Sequence, residues 1–225
     1  VDGLVERTKG RPLPAGEITP TQALWLFVVL LVTALILVLM TNPLTIVLSL
    51  GGLAVTAIYP FMKRFTHLPQ IGLGVAWAWV VPMAFAAQTE ALPPELWLLF
   101  AAIVLWTIAF DTYYAMVDRN DDLKIGIKST AVLFGQYDLV MILVLQAAML
   151  ILMTLAGIEF QRSWVYFFSL LVSAGYFINQ FRSTRHRERQ ACFAAFLNNH
   201  KVGMVIFMGI ALDYFFEGKS LATYF

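Results

Sequence analysis

Asp111, Tyr114, Asp118 and Asp122 follow one another at steps of three, four and four residues. On a continued helix that spacing places all four side chains on one face. Three carboxylates stacked this way repel one another, and a divalent cation between them removes the cost. Magnesium suits such a set: it is a hard ion that takes oxygen ligands, keeps several waters and shares phosphate oxygens. Lys124 and Lys128, one turn apart, add positive charge just beyond the acids. Acids for a metal, bases for phosphate and an apolar surround together point to a lipid diphosphate substrate. Taken singly, each acid also reads as a helix cap or a solvated loop charge, and Asp121 points away from the Asp118–Asp122 face. Asp111 lies closer to apolar sequence, where a carboxylate is expensive and more often functional.

The elements that must position these residues are membrane helices. Hydrophobic residues make up 60% of the 225 positions and charged residues 13%, with a mean hydropathy of +0.76. Soluble domains run about 45–50% apolar. That balance excludes a disordered chain, a disulfide scaffold and a soluble nucleic-acid binder. The single cysteine, Cys192, cannot form an intramolecular disulfide. Seven apolar segments approach the length of about 20 residues that a bilayer requires: Thr21–Met40, Leu44–Tyr59, Ile71–Ala87, Leu96–Met116, Leu139–Ala156, Trp164–Phe181 and Val202–Phe216. Irregular backbone cannot face lipid, so these are expected as helices in an all-α polytopic bundle. Pro43, Pro60, Pro69 and Pro93–Pro94 fall at segment ends, and Pro82 should kink the third segment.

With alternating spans, all but two of the fifteen Lys and Arg residues fall on one side; Arg162 and Lys219 are the exceptions. That side is expected to be cytoplasmic. It holds both polar loops, Asp2–Gly16 and Asp111–Thr130, which are separated by an even number of spans and are able to close over one site. Lys63 and Arg64 read either as orientation charges or as a third arm reaching a diphosphate. The run Arg182, Arg185, Arg187 and Arg189 reads as orientation charge and contact with anionic headgroups. His67 and His186 read as structural. Trp25, Trp97 and Trp164 fit an aromatic belt, Trp77, Trp79 and Trp106 read as packing rather than as the lining of a chain-binding tunnel, and Gly51-Gly52 with Gly72 and Gly74 permit close helix contact.

Two stretches carry a resemblance. Asp2…Val-Glu-Arg7-Thr-Lys-Gly-Arg11-Pro-Leu-Pro-Ala-Gly resembles the tail of the first aspartate-rich motif of the UbiA-type intramembrane prenyltransferases, and Asp111-Thr-Tyr-Tyr114-Ala-Met-Val-Asp118-Arg-Asn-Asp121-Asp122-Leu-Lys-Ile-Gly-Ile-Lys128-Ser-Thr-Ala resembles their second. Tyr59-Pro-Phe-Met-Lys63-Arg64-Phe-Thr-His-Leu-Pro and Ala191-Cys-Phe-Ala-Ala-Phe-Leu-Asn-Asn199 are similar to stretches of the 4-hydroxybenzoate polyprenyltransferase branch. The resemblance covers essentially the whole chain. It implies one integral-membrane domain over residues 1–225, with nine spans in the complete family fold, so that the first span and most of the second are expected to be absent here. It implies magnesium ions held by Asp2, Asp118 and Asp122, and a polyprenyl diphosphate gripped with help from Arg7, Arg11, Lys63, Arg64 and Lys128. Asp118, Asp122 and Arg64 would be catalytic, and Asp111 and Tyr114 would line the cavity.

The implied reaction joins the polyprenyl group to the ring of 4-hydroxybenzoate, ortho to its hydroxyl, a step of ubiquinone biosynthesis in a bacterial inner membrane. The expected partners are those two substrates and the lipid bilayer, with no nucleic acid. Two other readings stay open at this point: transfer to another aromatic acceptor such as haem, homogentisate or a naphthoate, and a polytopic transporter. A transporter would be expected to place ionisable groups at mid-membrane depth, whereas here the charges cluster at one face.

Overall fold

The computed structural model of the protein describes residues 10–62 and 64–217. Among them every regular element is helical: α1 (Pro20–Leu39), α2 (Pro43–Met62), α3 (Pro69–Ala78), α4 (Val80–Thr89), α5 (Leu96–Ile125), α6 (Thr130–Phe134), α7 (Asp138–Glu159), α8 (Trp164–Ser183) and α9 (Arg189–Glu217), with a 3-10 turn between α6 and α7. Among the described residues six helical stretches, against seven expected, are long and apolar enough to cross a bilayer: α1, α2, α3 with α4, α5, α6 with α7, and α9. Helix α8 matches α1 in length, but Asn179, Gln180 and Arg182 dilute its last turns. The expected all-α membrane bundle is what forms.

Local chemistry sets the helix ends. Thr19 opens α1 with a capping box, its side chain accepting from the Gln22 amide while the Gln22 side chain accepts from the Thr19 amide. The Ser129 and Ser163 hydroxyls cap α6 and α8 more simply, accepting from the Val132 and Val165 amides. Pro43 and Pro69 occupy first positions, where their missing N–H costs nothing. Pro60 departs from expectation: it lies inside the last turn of α2, which runs on to Met62. Pro82 acts upstream of itself. Its ring would clash with the carbonyl four residues back, at Ala78, and Ala78 is where α3 stops and α4 begins after Trp79. The Trp79 indole donates to the Leu48 carbonyl at 2.8 Å and lies over Gly51 and Gly52, where added methyl groups would strike it.

Helix α5 is the hub. It packs against α3, α7 and α9, while α8 packs behind α7 and α9. One apolar core, around Tyr113, Met116, Ile142 and Cys192, lies near the basic end. A second, around Met149, Met153, Tyr166 and Val202, lies toward the other. Helix α1 has no buried residue. Trp25, Trp97 and Trp164 are exposed, as residues of an interfacial belt are.

Gly74 sets the closeness of α3 to α5: a Cβ there would lie 3.0 Å from the Val104 carbonyl oxygen and 3.2 Å from its Cα. Backbone cannot move aside as a side chain can. Gly74→Ala is expected to lower stability by about 1–3 kcal/mol, the ordinary cost of overpacking, and Gly74→Val by more. Thermal melting in detergent checks this; an unchanged melt for the valine variant would show that the helices separate freely.

Candidate active site

Helix α5 runs unbroken past the membrane-spanning length, so Asp111, Tyr114, Asp118 and Asp122 do stand on one helix, in its last four turns. Gly126 ends it. Its φ of +71° suits glycine, and its amide and that of Ile127 both donate to the Asp122 carbonyl. The chain then doubles back beside α5. Thr130 Oγ1 meets Thr112 Oγ1 at 2.7 Å, and the Thr130 amide donates to Gln70 Oε1 at 3.2 Å. Gln70, buried in the first turn of α3, lies beside Asp111. Lys128 Nζ donates to the Phe65 carbonyl at 3.3 Å. The predicted phosphate-binding lysine therefore reaches across to the α2–α3 loop, one residue from Arg64.

Asp122 is buried at 8% exposure and Asp118 is half-buried. Tyr114 packs on Phe196 with ring centres 4.7 Å apart, and Phe193 lies beside them. The wall continues through Phe110 to Trp106, whose indole donates to Asn199 at 2.9 Å. Tyr59, at the end of α2, lies within electrostatic reach of Asp111 and Tyr114. Neither Tyr59 nor Gln70 was marked by any spacing in the sequence.

Asp2, Arg7 and Lys63 lie outside the described residues. Arg11 is exposed in the turn before α1. Arg64 is exposed, its guanidinium over the Phe61 ring at 5.6 Å, and no described contact joins it to the carboxylates. Among the described residues no three acidic, histidine or cysteine side chains converge on one point. Asp118 and Asp122 supply two oxygen donors one turn apart. That donor chemistry fits magnesium, which is commonly bound by one or two carboxylates plus substrate phosphates and water.

The sequence reading of the late arginines needs correcting. Arg187 and Arg189 do not simply face headgroups. Arg187 donates from Nε to both oxygens of the fully buried Asp138, at 3.0 and 3.1 Å, and from its terminal nitrogen to the Gln136 carbonyl. These bonds to Asp138 hold the Arg187 guanidinium still more firmly in its charged form. Arg119, next to Asp118, pairs with the same carboxylate and donates to the carbonyls of Ala131 and Gly135. Arg189 donates to the Val117 carbonyl and to Asp121, so Asp121 does turn away from the acidic face, as its spacing predicts.

At the other end of the bundle, a cavity of about 640 Å³ opens among Phe85, Gln88, Phe160, Arg162, Tyr166 and Tyr214. There Arg162, itself nearly buried, pairs with the fully buried Asp213 of α9 at 3.4 Å. Asp213 also accepts from the amide and hydroxyl of Ser163.

Known proteins resemble this chain in sequence and in overall fold. The model of the UbiA prenyltransferase family matches residues 1–208. The protein named 4-hydroxybenzoate octaprenyltransferase in a Marinomonas species is 55% identical over 216 residues, which are 96% of this chain and 76% of that one. The protein of the same name in Pseudomonas syringae is 56% identical over 95% of this chain and 72% of its own length. Among solved structures, the apo form of a UbiA homolog from Aeropyrum pernix superposes with a TM-score of 0.83 at 27% identity, covering 94% of this chain and 79% of that one. A digeranylgeranylglyceryl phosphate synthase structure shares the fold, with a TM-score of 0.69 at 17% identity over 92% of this chain and 75% of its own. On sequence and fold together, this chain belongs to the UbiA prenyltransferase family.

Proposed function

We propose that the protein transfers a polyprenyl group from its diphosphate to the ring carbon of 4-hydroxybenzoate ortho to the hydroxyl, a step of ubiquinone biosynthesis. The observation that carries this reading is identity of 53–56% over about 95% of the chain to proteins that all bear the name 4-hydroxybenzoate octaprenyltransferase. The site supports it with an acidic pair, basic arms and an aromatic wall at one end of a membrane bundle. The excess of basic residues at that end supports a cytoplasmic orientation for the site, and the membrane in this reading is a bacterial inner membrane.

Asp118 and Asp122, with Asp2 from the preceding loop, would hold magnesium, which when bound supplies positive charge to the departing diphosphate. The chain's own part is positioning and electrostatics. Lys128 and Arg64, on adjoining loops, meet the negative charge that grows as the allylic C–O bond breaks and the diphosphate leaves with the electron pair. The faces of Tyr114, Phe193 and Phe196 attract the allylic cation and keep water from it. The ring carbon ortho to the phenol attacks, a C–C bond forms, and that carbon loses its proton.

The test supplies membranes bearing the protein with 4-hydroxybenzoate, a polyprenyl diphosphate and magnesium, with and without chelator, and reads the lipid extract by mass spectrometry. A chelator-sensitive prenylated hydroxybenzoate is expected. Its absence from folded protein, with product appearing on another aromatic acid, would reassign the acceptor. Arg64→Ala is expected to raise KM for the prenyl diphosphate about ten-fold or more, since a charged hydrogen-bonding partner contributes about 1.5–3 kcal/mol. KM for the aromatic acid should stay within about two-fold. A change confined to the aromatic KM would place Arg64 on the acceptor's carboxylate instead.

A further inference from the structure

Asp118 and Asp122 sit on a stripe of α5 whose two flanks are both clamped. At about 100° per residue, Arg119 projects from one flank and Val117 with Asp121 from the other. Arg119 is held by the Ala131 and Gly135 carbonyls and by Asp138. Arg189 grips the Val117 carbonyl and Asp121. The clamps are tied together by the α8–α9 connection, because Arg187, two residues before Arg189, closes on Asp138. Asp138 is fully buried, while Arg119 and Arg187 remain 20% and 38% exposed at the side chain. One buried carboxylate thus joins the last turns of α5, the start of α7 and the loop leading into α9.

We propose that Asp138 is a positioning residue for the acidic pair. Through Arg119 and Arg187 it fixes the rotation of the end of α5 about its own axis, and with it the aim of Asp118 and Asp122. Magnitudes show why this matters. Side-chain tips stand about 5–6 Å from a helix axis, so a rotation of about 20° moves a carboxylate by about 2 Å. Magnesium demands near-ideal geometry at about 2.0–2.1 Å, and ligand distances hold within about 0.2 Å. A helix end free to roll by that amount presents its two donors in register only part of the time. The proposal rests on the reading of Asp118 and Asp122 as cation ligands.

The test titrates Mn2+ alone into the detergent-solubilised protein and follows the free-ion signal by electron paramagnetic resonance. Wild type, Asp118→Asn, Asp138→Asn and Arg187→Gln are compared, with circular dichroism and melting recorded for each. Loss of partners that orient metal ligands weakens binding by about 10–100-fold. Folded Asp138→Asn is expected at the lower end of that range, with turnover recovering as magnesium is raised. Arg187→Gln, at an accessible position, is expected to weaken binding several-fold and carries the test alone should Asp138→Asn fail to fold. Wild-type affinity in the folded Asp138 and Arg187 variants, with the ion lost in Asp118→Asn, overturns the positioning role while leaving the cation reading intact. Mn2+ binding that is absent from wild type, or unchanged in Asp118→Asn, overturns the cation reading and the proposal with it.

Discussion

Asp118→Asn and Asp122→Asn should each lower turnover by about a hundred- to a thousand-fold or more, the scale seen when one preorganised electrostatic group is removed from an active site. Asparagine keeps the size of the side chain and discards its charge. The two acids stand one turn apart on the same helix, a like-charge arrangement that costs an isolated helix about 0.2–0.5 kcal/mol. Removing one charge relieves that repulsion, so activity should collapse while the protein still folds and melts cooperatively. That separation of folding from rate is the signature sought. The comparison is Asp121→Asn, which keeps both acids and the Arg189 contact to the Val117 carbonyl. Its carboxylate pairs with Arg189 at a partly exposed position, where an ion pair contributes about 0–1 kcal/mol, so its turnover should fall by less than about ten-fold. Near-normal turnover in either Asp118 or Asp122 variant would remove that residue from the site.

The second large effect is on folding. Asp213→Ala should destabilise the protein by about 3–5 kcal/mol, the usual cost of breaking a buried ion pair from one side. Asp213 is fully buried and gathers Arg162 and both donors of Ser163. Losing it unties α9 from the turn between α7 and α8. Asp213→Asn keeps an acceptor for Ser163 and should cost less, about 1–3 kcal/mol. Thermal inactivation in detergent, followed by the fraction remaining folded, ranks the three proteins. Because this cluster lies at the end of the bundle away from Asp118, turnover per folded molecule should stay within about two-fold of wild type. Melting of Asp213→Ala within about 1 kcal/mol of wild type would mean that water replaces the carboxylate.

What the sequence displays well is periodic. The 3-4-4 spacing from Asp111 to Asp122 describes the continued α5, and it sends Asp121 to another face, where Arg189 meets it. The apolar runs mark the helices. What it hides is pairing at a distance. Asp138 reads as an ordinary acid at a helix start, yet its partners lie 19 and 49 residues away. Arg187 and Arg189 read as headgroup charges for the same reason. One signal was available: the rule that a carboxylate beside apolar sequence is costly, applied to Asp111, applies equally to Asp138 and Asp213. Pro82 reads as a kink, but its effect appears at Trp79, because the clash is with a carbonyl a full turn earlier.

Helix α5 has 30 residues and so is about 45 Å long, against a hydrocarbon layer of about 30 Å. It is a ruler standing in the bilayer. Asp111 lies seven residues below Asp118 on that ruler, about 10 Å deeper. The two carboxylates therefore stand at different depths of the bundle, Asp111 inside it beside Gln70 of α3 and Asp118 toward its polar end, although a single rigid rod carries both.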